Sequence, residues 1–183
     1  MEPMNQWSTD MKFKFTDEQM QTALSLAMQR HDAKSKSFRN RTTEEFMNDA
    51  KSSLAGSAKV DYQYMAHYLG VLGETAWSLH TGEPVDTNIY AVRDDGEDFK
   101  GIEVKTMTYM GAGEPELKIT AKEYAQRKPP QFYVLVRFNL KKNEAEILGK
   151  ISRSKFDSNC KTKQYGRNKP LNYVVPASVM DSP

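Results

Sequence analysis

The sequence predicts an α/β protein in which a central mixed β-sheet is flanked by helices, with a helical extension ahead of it. Three observations predict it. Segments of helical apolar spacing open on capping signals at Thr16, Thr42 and Thr120. The segment Gln131–Phe138 is apolar almost without interruption, as in a strand covered on both faces. Helical and strand-like segments then share the chain in the manner of a sheet with helices packed on it. The 183 residues suit one domain with an extension: residues 1–60 form the extension and residues 61–183 the core.

The first helix starts at Thr16, where Thr16-Asp-Glu-Gln19 reads as a capping box and Phe15 as its staple residue. Met20, Ala23, Leu24, Ala27 and Met28 follow at helical spacing, and residues 32–41 read as a polar loop. A second helix begins after Thr42, with Phe46, Ala50 and Leu54 as its stripe. A long helix spans about 61–81, carrying Met65, Leu69, Leu72, Ala76 and Leu79, and Gly82 suits its C-terminal cap. Residues 87–92 read as a strand, 94–97 as a turn and 102–108 as a second strand. Thr120 opens a short helix that Pro129-Pro130 ends. Beyond the strand at 131–138, Lys141-Lys-Asn143 turns the chain into a strand at 146–151, and a last strand covers 172–175. The order is helices, a three-strand meander, a helix and further strands.

Composition narrows the function classes. No run of about 18 apolar residues is present, so no membrane span is expected. The N-terminus lacks the basic and apolar regions of a secretory signal, and Cys160 has no second cysteine to pair with; a reducing, cytoplasmic setting is expected. One cysteine and three scattered histidines make no zinc pattern. The net charge is only +2, but the basic residues cluster. Residues 141–170 hold nine of them against three acids, and residues 30–41 hold five against one. Such runs suit phosphate binding or a solvated face.

The chemistry is concentrated in Asp98-Phe-Lys-Gly-Ile-Glu-Val-Lys105. Alternation along a strand sends Ile102 and Val104 to the core, and Glu103 and Lys105 together to the other face. If Lys100-Gly101 is a two-residue hairpin loop, Phe99 pairs with Ile102 and Asp98 with Glu103. Directly opposite residues share a face, so Asp98, Glu103 and Lys105 converge. Two opposed carboxylates repel unless a cation lies between them. Mg²⁺ takes one or two carboxylates together with water and phosphate oxygens, and a nearby lysine can neutralise developing negative charge.

Asp98 followed by Glu103-Val-Lys105, with Glu74 on the preceding helix, resembles the PD-(D/E)XK, or restriction-endonuclease-like, superfamily. The resemblance covers about residues 62–138 and continues toward 175. It departs from the family pattern in having Glu97 where a proline usually precedes the aspartate, and in a short gap from Asp98 to Glu103. It implies a metal-dependent endonuclease acting on DNA. Asp98 and Glu103 would hold Mg²⁺, with Mn²⁺ as a substitute, Glu74 would be a further metal-side acid, and Lys105 would stabilise charge. Small Gly70 and Gly73 would bring the helix, and Glu74 with it, close to the sheet. Lys122, Lys161, Lys163, Arg167 and Lys169 are candidates for gripping nucleic acid, and Thr106 and Thr108 for touching phosphate. Cutting both strands would call for a homodimer. The alternative is a non-catalytic DNA-binding or protein-interaction module on the same fold.

Overall fold

The computed structural model describes residues 11–34, 62–89, 97–108, 113–126 and 128–183. The second helix expected after Thr42, residues 90–92 of the expected strand and residues 94–96 of the expected turn lie outside the described residues.

A four-stranded mixed sheet has the order β1-β5-β4-β2, from β1 (Lys12–Lys14), β5 (Glu144–Ser152), β4 (Phe132–Asn139) and β2 (Ile102–Thr108). β2 runs parallel to β4, and the other pairs are antiparallel. A separate antiparallel sheet has the order β3-β7-β6, from β3 (Glu116–Thr120), β7 (Leu171–Pro176) and β6 (Lys161–Gln164). Helices α1 (Asp17–Lys34) and α2 (Tyr62–Thr81) cover one face of the larger sheet. The smaller sheet, with α3 (Ala121–Gln126) and α4 (Arg153–Asn159), covers the other.

Local sequence accounts for the helix ends. Thr16 N–H donates to Gln19 Oε1 at 2.8 Å and Gln19 N–H to Thr16 Oγ1 at 3.2 Å, the reciprocal pair of a capping box. Phe15 and Met20 are both buried in the core beside this cap. α1 continues through residues 32–34, where the polar composition predicts a loop. α2 ends where Gly82, at φ +78°, donates to Ser78 O. Its buried stripe is Tyr68, Val71, Leu72, Ala76 and Trp77, so the expected stripe is rotated, and Leu79 is 43% exposed.

Strand β4 is buried on both faces, as expected. Val134, Val136 and Phe138 join the cluster under α1 and α2, while Tyr133 and Leu135 join the one under β3 and β7. In β5 the alternate residues Ala145, Ile147, Gly149 and Ile151 are buried without a break. A bulge at Leu148, between the pairs Val136–Ile147 and Leu135–Gly149, reverses their direction. Ala145 and Ile147 therefore face the helices and Ile151 the smaller sheet.

Residues 87–89 are not a strand. Asp86 Oδ1 accepts from Asn88 N–H at 2.9 Å, a local turn that competes with strand pairing. β1, β3, β6 and α4 are additional to the expected elements. The described N-terminal residues are built into the core rather than set ahead of it. β1 pairs with β5, and α1 shares one apolar cluster with α2 and β4.

Candidate active site

The Asp98–Ile102 segment forms the two-residue hairpin that the spacing implies. Phe99 and Ile102 exchange backbone hydrogen bonds at 3.1 and 2.9 Å, and Gly101 adopts φ +73°. A side chain at Gly101 would meet Gln131 at 3.1 Å as well as strain the backbone. Gly101→Ala is therefore expected to cost about 1–3 kcal/mol, measurable by urea denaturation. Glu97 supports the turn: its Oε2 accepts from Gly101 N–H at 3.1 Å.

Asp98 N–H donates at 2.9 Å to Ile102 O, the carbonyl that also accepts from Phe99 N–H, so the regular pairing stops at Phe99–Ile102 and the expected Asp98–Glu103 pair is not formed among the described residues. Among the described residues β2 is an edge strand of its sheet. Its Val104 N–H donates at 2.7 Å to Asp98 Oδ2, so the carboxylate caps the strand edge. Burial, then the nearby charges of Glu103 and Glu74, hold the Asp98 carboxyl well above the usual range; Val104 N–H and Lys105 oppose them.

Glu103 lies on the face of β2 away from α2, and is 4% exposed. Its Oε1 accepts from Lys105 Nζ at 2.6 Å. The same ammonium also donates to Glu123 Oε1 from α3. Burial would lower the Lys105 pKa, but the charges of Glu103 and Glu123 overcome it and the net direction is upward. Lys105 is thus held as a cation.

Glu74 reaches the site from α2. Gly73 is what lets it: a Cβ there would lie 1.8 Å from Thr106 Oγ1 and 3.3 Å from Val104 Cγ1. Gly70 has open space around it and plays no such part. Glu74 is 4% exposed; its Oε1 pairs with Arg30 Nη1 at 2.7 Å, while Oε2 is buried with no hydrogen-bond partner among the described residues. Arg30 Nη2 also donates to Asp86 O at 2.7 Å. Arg30 was counted within a basic run; here it is the counter-ion of a buried acid. Thr106 Oγ1 is buried against Gly73, so Thr106 faces the helix and not a phosphate.

Beside Glu103 a small cleft, partly open to solvent, is lined by Glu123, Tyr124, Lys128, Tyr133 and Arg153. The Arg153 guanidinium lies 3.8 Å from the centre of the Tyr124 ring and donates to Tyr133 Oη at 2.8 Å. Glu123 and Arg30 were missed in the sequence because each had an ordinary reading: a helix-capping acid and a member of a basic run.

The remaining expected nucleic-acid contacts lie elsewhere. Lys122 is exposed on α3; Lys161 and Lys163 are exposed on β6, and Arg167 and Lys169 on the loop after it. Register aligns Lys118, Val174 and Lys161 across the outer face of the smaller sheet, which adds Lys118 to this group. Lys163 is paired with Glu116 at 2.9 Å, and Glu116 also accepts from Tyr165 Oη at 2.5 Å.

Among the described residues, no three His, Cys, Asp or Glu side chains form a group able to hold a metal. The expected trio of Asp98, Glu103 and Glu74 is coupled through charge without forming such a cage. The donor chemistry of Asp98 and Glu103 still fits Mg²⁺, which needs only one or two carboxylates when water and phosphate complete its shell. Among the described residues no helix is long and apolar enough to cross a membrane. No family model matches the chain, and neither does any curated protein or solved structure.

Proposed function

We propose that this chain is a metal-dependent endonuclease that hydrolyses phosphodiester bonds in DNA, and that its larger sheet is a restriction-endonuclease-like core. The observation that carries the reading is the Lys100-Gly101 hairpin. It sets Asp98 against the strand bearing Glu103 and Lys105, where burial and neighbouring acids disfavour an ionised Asp98. A protein selected for stability alone gains nothing by crowding buried carboxylates in this way.

In this reading Asp98 and Glu103 hold Mg²⁺ or Mn²⁺, and Glu74 supports them from α2. When bound, the metal would supply Lewis acidity toward the phosphate and its attacking water. Lys105, kept cationic by its neighbours, neutralises charge gathering on the phosphate oxygens. Exposed Lys122, Lys161, Arg167 and Lys169 bind the phosphate backbone. DNA is taken as the substrate from the family resemblance, and a homodimer as the form that cuts both strands.

The test is incubation of purified protein with supercoiled plasmid and Mg²⁺, beside EDTA and Lys105→Ala controls. Nicked or linear product that disappears in both controls is expected. Intact plasmid, followed by intact nicked, branched and single-stranded DNA with either metal, would sink the reading. Tight DNA binding indifferent to Glu103→Ala would then favour the binding-module alternative.

A further inference from the structure

We propose that Glu123 is a positioning residue that keeps the Lys105 ammonium at the site when a divalent cation takes the carboxylate of Glu103. The inference rests on the metal-dependent reading above. Lys105 Nζ is held at once by Glu103 from β2, at 2.6 Å, and by Glu123 from α3. Two carboxylates from separate elements thus converge on one cation. An ammonium and a divalent metal seek the same carboxylate oxygens, and two cations against one carboxylate repel each other. Metal binding at Glu103 therefore weakens the Lys105–Glu103 pair.

Glu123 removes that conflict. Lys105 retains an anionic partner on α3 while Glu103 turns to the metal, so the lysine stays beside the reacting phosphate with its charge compensated. Without Glu123, metal entry would strip Lys105 of both ion pairs described here. The helix is set for this role: Glu123 N–H donates to Thr120 Oγ1 at 3.1 Å, which fixes the first turn of α3, and Oε1 is turned to Lys105.

The test uses the full chain, stripped with EDTA and titrated with Mg²⁺. The readouts are melting temperature and, separately, kcat and KM on a DNA oligonucleotide. E123Q is expected to raise the Mg²⁺ concentration at half-effect roughly tenfold, the scale of lost metal-site support, and to lower kcat with KM little changed. K105M, which removes the competing ammonium, is expected to lower that concentration below the wild-type value. E123Q/K105M is expected to return it to the wild-type value or lower. An unchanged half-effect in E123Q overturns the proposal. So does weaker Mg²⁺ binding in K105M. A double variant as weak as E123Q would overturn it too, because Glu123 would then act on the metal directly and not through Lys105. If Mg²⁺ leaves even the wild-type melting temperature unmoved, the metal-dependent reading itself falls.

Discussion

Asp98→Asn is expected to raise the melting temperature of the metal-free protein while removing its Mg²⁺-dependent cleavage. The carboxyl is buried between Glu103 and Glu74, which disfavours its ionised form. An amide of the same shape keeps an oxygen for Val104 N–H and removes the like-charge repulsion. The gain should fall at roughly 0.5–2 kcal/mol, the usual return from relieving a functional site. For a chain of this size each kcal/mol is worth roughly 2–4 °C.

The pH dependence follows from the direction of the shift. A carboxyl with a raised folded pKa is protonated in both states at low pH and contributes no difference there. As pH rises through the unfolded value, about 3.9, the unfolded chain releases its proton first and the wild type loses stability. In EDTA the advantage of the Asn variant should therefore be smallest near pH 4 and grow toward neutrality. Scanning calorimetry at several pH values checks it; a variant that melts lower at pH 7 refutes it. Added Mg²⁺ should stabilise the wild type far more than the variant, because ligand bound to the folded state shifts its melting. Cleavage should fall at least about a hundredfold, the scale for losing one electrostatic stabiliser.

Two glycines one helical turn apart should respond with opposite sign. Gly73→Ala puts a methyl 1.8 Å from Thr106 Oγ1, and rotating that hydroxyl does not clear it, because Thr106 Cβ at 3.1 Å and Val104 Cγ1 at 3.3 Å remain. The helix must lift from β2. Overpacking of this kind costs about 1–3 kcal/mol. It also carries Glu74 away from Asp98, so cleavage should drop although no polar group has changed. Gly70→Ala meets nothing within 4 Å and should gain about 0.5–1 kcal/mol from reduced backbone freedom in the unfolded chain. Urea denaturation of the two variants decides it. Equal effects would mean that the α2–β2 contact is not what holds Glu74 in place.

The hairpin was legible because parity and one glycine settle it: with Lys100-Gly101 as the loop, the Phe99–Ile102 pair follows, although the pairing goes no further toward Asp98 and Glu103. The box at Thr16 and the long apolar run of β4 were legible for the same reason, as local patterns with local causes. The bulge at Leu148 was not. The odd residues of β5 are buried on both sides of it, so the sequence shows unbroken alternation while the buried face changes. β1 has three residues, too few for a period. β3 alternates cleanly as Glu-Leu-Lys-Ile-Thr, but Thr120 both ends the strand and caps α3, and the helix signal masked the strand before it. Within the site, Glu74 stands out through the family resemblance, and of its two glycine neighbours only Gly73 makes the close approach to the sheet. Arg30 and Glu123 depend on partners 44 and 18 residues away, which no local pattern reports.

The Arg30–Glu74 pair has a consequence for how such a chain can change over generations. An exchange of genetic material that replaced everything before residue 61 would leave the hairpin, both strands of the larger sheet that flank the cleft, and every residue proposed to touch metal intact. It would nonetheless inherit Glu74 without the cation that α1 supplies, a buried charge with its counter-ion left behind in the other parent. Helix α1 and the long helix α2 are therefore expected to travel together through descent, and a shuffled descendant that kept the site would have to bring its own arginine.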